Sequence, residues 1–176
     1  MGDRIAIPKR GARWLHVVAL AGWMAGMTLP AWAANNCPWM NEATASGLLG
    51  AEASGNYSDA TASLPARCVF SEVGPQGIRA LTITVGVDSD ASGRIRELLQ
   101  DCHDKPRAMR AIGNEALTCM VMHPHRVQTE FVAGRVRKQV FSISISSTEK
   151  NDPVLTPAML KMKIETAAEQ VTGNLF

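Results

Sequence analysis

The sequence of 176 residues lacks the short motifs that mark several common enzyme classes. It has no G-x-S-x-G nucleophile motif, no phosphate-binding or dinucleotide-binding glycine pattern and no C-x-x-C pair. These absences argue against a serine hydrolase with that motif, a nucleotide-binding enzyme, and a zinc or redox site of the C-x-x-C type. A hydrolase whose site is assembled from distant residues stays open, because paired carboxylates can meet in space without a local pattern.

The sequence also has little net charge. The whole chain carries 18 basic and 16 acidic residues, but residues 1–33 contain four of the basic ones and one acidic one. Residues 34–176 therefore carry 14 basic and 15 acidic residues. A nearly neutral domain has no electrostatic attraction for nucleic acid or for an anionic membrane surface. We expect no nucleic acid among its partners.

Residues 1–33 have the three parts of an export signal. A basic opening segment precedes an uncharged apolar run over residues 14–29, and Ala31-Trp32-Ala33 forms a small-x-small site. The run is shorter than the ~20 residues that cross a bilayer, which favours a cleaved signal over a permanent anchor. We predict cleavage after Ala33 and a single periplasmic or secreted domain over residues 34–176.

All four cysteines, Cys37, Cys68, Cys102 and Cys119, follow the predicted signal. An even number in an exported chain predicts two disulfides, because the compartment outside the inner membrane is oxidising. Three pairings are possible, and we favour Cys37–Cys68 and Cys102–Cys119 because each joins segments that are close in sequence. Asn36 rather than a small residue precedes Cys37, which disfavours lipidation there. We therefore expect no stable membrane anchor.

Three segments have the pattern of amphipathic helices. The first is predicted from the N-cap Asn41 to residue 49, with Gly50 ending it. The second begins at Asp90 or Ser92 and runs to about Cys102. The last has Thr156 as its N-cap, Pro157 at the first helical position and Gly173 at its end. Its outer side is predicted to carry Lys161, Lys163, Glu165 and Glu169.

Five segments have the alternating pattern of half-buried strands. They cover residues 67–71, 78–87, 116–122, 127–131 and 141–146. Residues 51–66 are interpreted as a loop with room for a short edge strand. The first two strands form a hairpin that turns at residues 74–77, and the last two form another. The second hairpin turns either at Gly134 or near Arg137-Lys138, and the two alternatives place opposite faces inward.

The connections between these strands are mostly too short for parallel crossovers, so the sheet should be largely antiparallel. We predict an α+β fold in which a sheet of about five strands packs against two or three helices and two disulfides staple the chain. Alternating strands suit a sheet with one face covered by helices and the other partly open.

One segment has the composition of a metal site. Residues 119–125 (CMVMHPH) contain Met120, Met122, His123 and His125, and thioethers and imidazoles are suitable copper ligands. We prefer the alternative in which the methionines pack along a strand and the histidines flank a turn. We accordingly predict no metal and no other cofactor.

Arg135, Arg137 and Lys138 cluster near the second hairpin turn. A basic cluster can hold an anionic ligand or partner. It can equally be a solvated turn, whose charges discourage aggregation at a sheet edge. The solvated turn is the commoner case, and we keep the three residues as candidate recognition residues.

Several short segments follow one another in a recognisable order: Cys37-Pro38, residues 41–50, 67–70, 112–116, 135–141 and 168–171. This order resembles small exported bacterial domains of unknown function that contain cystines. It is similar to actinobacterial lipoproteins, to the extracytoplasmic sensor domain of some bacterial serine/threonine kinases and to PsbP-like sandwiches. The resemblance implies an antiparallel sheet with helices and a binding or sensing role, and it supplies no catalytic residues.

The first hypothesis for function is a non-enzymatic exported domain that binds a small molecule or an envelope protein. It follows from the absence of a catalytic constellation beside a sheet with an open face. The alternatives are the hydrolase with a dispersed site and a periplasmic copper-binding protein that uses residues 119–125.

Overall fold

The computed structural model describes residues 36–75, 77–122 and 128–176. The predicted signal peptide and its cleavage point lie outside these residues, as do His123 and His125. The described residues belong to one compact unit, Ala33–Phe176. Within them, no helix is long and apolar enough to cross a bilayer.

The described chain forms three helices and one seven-stranded sheet. The helices are α1 (Glu42–Leu49), α2 (Ala91–Leu98) and α3 (Pro157–Gly173). The strands are β1 (Ser54–Ser58), β2 (Ala66–Gly74), β3 (Gly77–Val87), β4 (Arg107–Ala108), β5 (Glu115–Met120), β6 (Gln128–Val136) and β7 (Gln139–Ser147). They lie in the order β1-β2-β3-β7-β6-β5-β4, and every neighbouring pair is antiparallel. The α+β class is confirmed, but the sheet has seven strands rather than about five.

The two additional strands are the edges of the sheet. β1 lies in the segment interpreted as a loop with room for a short edge strand, and its register runs from Ser54 opposite Ser71 to Ser58 opposite Arg67. β4 contains two residues, which pair with Thr118 and Leu117 of β5. A strand of two residues is too short to show an alternating pattern in the sequence. It forms because the edge of the neighbouring strand offers free hydrogen-bonding groups.

The helix N-caps are those that the sequence indicates. The side chain of Asn41 accepts a hydrogen bond from the Thr44 N–H at 2.8 Å, and Thr156 accepts one from the Met159 N–H at 3.4 Å. Asp90, rather than Ser92, caps α2 by accepting the Gly93 N–H at 2.9 Å. α1 ends at Gly50, whose φ of 87° is the left-handed conformation that glycine adopts without strain.

α2 is shorter than predicted, since it ends at Leu98 and not near Cys102. After it the chain turns and joins the sheet. Cys102 forms an isolated antiparallel bridge with Val121, and the His103 N–H donates to the Met120 carbonyl at 2.8 Å. Residues 102 and 103 thus pair with the end of β5 and the residue after it instead of continuing the helix.

The β6–β7 hairpin turns at Arg137-Lys138, since Val136 pairs with Gln139. The Gly134 alternative is therefore wrong. Arg137 has a φ of 56°, and its N–H donates to the Asn114 side chain at 2.6 Å. With this register, Phe141, Ile143 and Ile145 lie on one face of the sheet, where all three are fully buried.

The sheet has two unequal sides. We call the side of Leu81, Ile83, Phe141 and Ile143 the major face; α1 and α3 cover it and form the large core with it. The opposite side is the minor face. Of the three described helices, only α2 packs there. Its Ile95 and the following Leu99 form a smaller cluster with Cys119, Val121, Ala133 and Val140. One face is covered by helices and the other only in part, as the alternating strands indicate.

Lys163 is not on the outer side of α3 as predicted, because it is only 9% exposed. Its ammonium group donates to the carbonyls of Gly47 and Leu48, in the last turn of α1. These carbonyls lack partners within their own helix and attract a cation. Burial lowers the pKa of Lys163, and the nearby Arg79 guanidinium lowers it further.

Both disulfides have the favoured pairing. Cys37–Cys68 ties the segment before α1 to β2, and Cys102–Cys119 ties the segment after α2 to β5. The first lies in the core of the major face, and the second lies in the cluster of the minor face. Such bonds are typical of proteins that fold in an oxidising compartment.

Candidate functional site

A cleft of about 450 Å³ lies on the minor face, beside α2. Residues of β3 and β7 form its floor, the loop over residues 60–65 forms one wall and α2 forms the other. The cleft therefore occupies the part of the minor face that α2 leaves uncovered.

The floor of the cleft is polar at its centre. Thr84 of β3 and Ser142 of β7 are direct cross-strand partners, and both are half-buried. The next pair on this face is Gly86 and Val140. Because successive residues of a strand point to opposite sides, the apolar residues between them face the core, and the hydroxyl groups are left to the cleft.

The loop over residues 60–65 is held by its own hydrogen bonds. The Thr61 N–H donates to the Leu64 carbonyl at 2.8 Å, and the Leu64 N–H donates to the Thr61 hydroxyl at 3.1 Å. The loop lies close to β3 at Gly86, where a Cβ atom would stand 3.1 Å from the Pro65 Cβ. The side chain of Leu64 stays 65% exposed and supplies apolar surface to this wall.

The α2 wall contributes Arg94 and Leu98. The Arg94 Nη1 lies 2.6 Å from the Glu97 Oε2, and both side chains are exposed to solvent, by 39% and 61%. Asp88, at the end of β3, also lines the cleft. One of its oxygens accepts the Asp90 N–H at 2.8 Å, which helps to shape the start of α2.

A second, more open hollow of about 270 Å³ adjoins the cleft at Asp88. It brings together the three candidate recognition residues Arg135, Arg137 and Lys138 with the first turn of α2. Arg135 is paired with Glu115 at 3.2 Å, and the hollow also contains Asp88 and Asp90. Its charge is therefore mixed, and the recognition role of the three cations stays a prediction.

No family model, curated protein or solved structure matches the chain.

The candidate copper ligands are only partly described. Met120 is half-buried in β5, Met122 is 60% exposed, and Cys119 cannot act as a ligand because it is oxidised. His123 and His125 lie outside the described residues. In the described part of the chain, no three His, Cys, Asp or Glu side chains are close enough together to hold a metal ion.

Two buried polar clusters were not predicted. In one, Asp152 accepts hydrogen bonds from Arg79 Nε and from the Ser147 hydroxyl, both at 2.7 Å, and Arg79 also contacts Glu72 at 3.3 Å. Asp152 further accepts two backbone amides, at 2.8 and 3.0 Å. Its partners come from β3, β7 and the loop before α3, so this cluster fixes how those elements meet.

The other buried cluster is centred on Glu130 of β6, which is 3% exposed. Its carboxylate accepts hydrogen bonds from Arg107 Nη2 at 2.9 Å and from the Thr118 hydroxyl at 3.1 Å. Thr118 lies on the adjacent strand β5, and Arg107 lies on β4, one strand further out in the sheet. The cluster therefore joins the short edge strand to the sheet.

Proposed function

We propose that this protein is an exported, non-enzymatic binding domain that holds a small amphipathic molecule in the cleft of the minor face. The observation that carries the proposal is the cleft itself. Its volume of about 450 Å³ lies within the range of small-molecule sites. Its lining combines apolar side chains with a few hydrogen-bonding groups, which is the usual composition of such sites.

The lining supports a binding role rather than catalysis. Among the described residues that line the cleft there is no histidine, cysteine or glutamate. A serine or threonine nucleophile needs a neighbouring base to activate it. Asp88 is the one carboxylate of the described lining, and neither Thr84 nor Ser142 donates a hydrogen bond to it. The hydrolase alternative would need its chemistry elsewhere in the molecule.

Three further arguments fit this proposal. The disulfides agree with export, which residues 1–33 predict independently. The resemblance to extracytoplasmic sensor domains implies a binding or sensing role. The site is concave, which favours a small molecule over an envelope protein, since protein interfaces bury broader surfaces.

The test uses 1-anilinonaphthalene-8-sulfonate, a fluorescent probe with an aromatic body and one charged group. We expect saturable binding of one probe per protein. Thr84→Phe fills the floor of the cleft and should weaken binding about tenfold or more, which corresponds to about 1.4 kcal/mol.

Thr82→Phe is the matched control, because Thr82 lies two residues away on the same face of β3 and does not line the cleft. It should leave the affinity unchanged, and melting temperatures would show that both variants fold. Equal binding by the two variants, or no saturable binding by the natural protein, would refute the proposal.

A further inference from the structure

Two side chains of opposite charge line the same cleft, and the ion pairs of the described residues do not join them to each other. They are Asp88, at the end of β3, and Arg94, one turn into α2. Among the described residues, Arg94 forms an ion pair with Glu97 alone. Asp88 has no ion-pair partner in the described part of the chain, although three cations line the adjoining hollow.

The side chains of Asp88 and Arg94 can both bind a ligand with little loss of stability. The Arg94–Glu97 pair is exposed, and exposed pairs of this kind contribute little to stability. Asp88 uses Oδ1 to accept the Asp90 N–H, so its other oxygen can accept from a ligand without disturbing the start of α2. A guanidinium binds a carboxylate with two parallel hydrogen bonds, and a carboxylate binds an ammonium group.

The other described residues of the lining are neutral. Thr84 and Ser142 supply hydroxyl groups on the floor, whereas Leu64 and Leu98 supply apolar surface on opposite walls. A ligand that matches all of these groups has one positive charge, one negative charge, polar atoms between them and an apolar side group.

We propose that the cleft binds a small zwitterion with an apolar side chain, namely an apolar amino acid or a short apolar peptide. Its ammonium group pairs with Asp88 and its carboxylate pairs with Arg94. The hydroxyls of Thr84 and Ser142 bind its polar backbone, and its side chain packs between Leu64 and Leu98. This inference rests on the proposed function, because it names the ligand class of the same cleft.

The experiment is calorimetric titration of the full domain with four compounds. Leucine and leucyl-leucine carry both charges and separate the amino acid from the peptide as the source of the zwitterion. N-acetyl-leucine lacks the positive charge, and leucinamide lacks the negative one. We expect at least one zwitterion to bind about ten to a hundred times more tightly than either single-charge compound, as loss of a charged hydrogen bond implies.

Two variants test which charged group of the ligand pairs with Asp88 and which pairs with Arg94. Asp88→Asn keeps an oxygen that can accept the Asp90 N–H, and it should weaken binding of the zwitterion and of leucinamide but not of N-acetyl-leucine. Arg94→Gln should weaken binding of the zwitterion and of N-acetyl-leucine but not of leucinamide. Asp101→Asn and Arg96→Gln are matched controls, because both residues are exposed near the same helix and neither lines the cleft.

The outcomes separate this inference from the proposed function. If the naphthalene probe binds at Thr84 but no zwitterion binds or displaces it, the ligand class is wrong and the binding cleft stands. The same holds if the zwitterion binds without the crossed pattern of the two variants. If a zwitterion binds equally well to Thr84→Phe, it binds outside the cleft and the inference fails.

Discussion

The two faces of the sheet differ in how completely they are covered. On the major face, α1 and α3 bury a continuous apolar surface, and the buried side chains of Asp152 and Lys163 have hydrogen-bond partners. On the minor face, the eight-residue α2 covers one part and leaves a cleft beside it. A single sheet thus carries its main core on one side and its candidate binding site on the other.

Burial, and not distance, separates the ion pairs of the two faces. Arg79–Asp152 on the major face and Arg94–Glu97 on the minor face have nearly equal separations, 2.7 and 2.6 Å. The Asp152 side chain is 1% exposed, whereas that of Glu97 is 61% exposed. Removing one partner of a buried pair leaves an uncompensated charge, which is strongly destabilising.

Loss of Asp152 should therefore cost more stability than any other change considered below. Asp152→Ala should lower the free energy of unfolding by about 3–5 kcal/mol, because Arg79 and two backbone amides lose their acceptor. Glu97→Ala, the matched control on the minor face, should cost less than about 1 kcal/mol. Urea unfolding measures both values. Similar losses in the two variants would remove the contrast between the faces.

The same cluster predicts how stability depends on acid. Burial alone would raise the pKa of Asp152, but hydrogen bonds from Arg79, Ser147 and two backbone amides outweigh it and hold the pKa well below its ordinary range. A carboxyl group with a lowered pKa stabilises the fold above its unfolded value, about 3.9. That contribution to stability is lost as the pH falls below the unfolded pKa toward the lower pKa of the folded state.

We expect the free energy of unfolding of the natural protein to decrease between about pH 4 and pH 2 more steeply than that of Asp152→Asn, which has no charge to lose at this position. Parallel pH profiles for the two proteins would show that Asp152 is not the group that responds.

Much of the major face could be predicted from local patterns. The caps Asn41 and Thr156 are short-range signals, and the alternation through residues 141–146 predicts one buried side of a strand. The charge of Lys163 favours an outward position on α3. Yet it lies three residues after Leu160 and one before Ile164, within the apolar stripe, and its position on the helix indicated burial.

The cleft could not be predicted in this way. Its walls come from residues 60–65 and from α2, and its floor comes from two strands that are far apart in sequence. No periodicity relates these segments, because the sheet order places β7 beside β3. The alternation of hydroxyl residues in β3 and β7 indicates that one face of these strands is solvated. It does not indicate which segments form the walls beside that face.

The two disulfides give the next prediction, because they lie on different faces. Replacing either cysteine pair with alanines should lower the free energy of unfolding by about 3 kcal/mol. The two costs should be similar, because the bridged residues are 31 and 17 positions apart and the entropy of loop closure changes slowly with loop length. Only loss of Cys102–Cys119 should also weaken binding of the naphthalene probe, because that bond ties the segment after α2 to β5.

Probe titrations at a low temperature, where circular dichroism shows both alanine variants to be folded, would measure this difference. Loss of Cys37–Cys68 serves as the control of equal stability cost. If both variants bind the probe like the natural protein, the position of α2 does not depend on the Cys102–Cys119 disulfide.

The smallest expected difference comes from two isoleucines that anchor helices on opposite faces. Ile164 of α3 and Ile95 of α2 are 1% and 0% exposed, so area burial alone predicts equal costs on replacement by alanine. The cost also depends on how far the surroundings can close around the cavity. Ile95 lies in a cluster of six buried residues beside an open cleft, whereas Ile164 lies in the large core.

Ile164→Ala should therefore lower the free energy of unfolding by about 1–2 kcal/mol more than Ile95→Ala does, within the range of about 2–5 kcal/mol for such replacements. Urea unfolding of the two variants at one pH measures the difference. If Ile95→Ala costs as much or more, the minor face is packed as tightly as the major one. The cleft would then have rigid walls, and a ligand would have to fit the shape that the free protein already has.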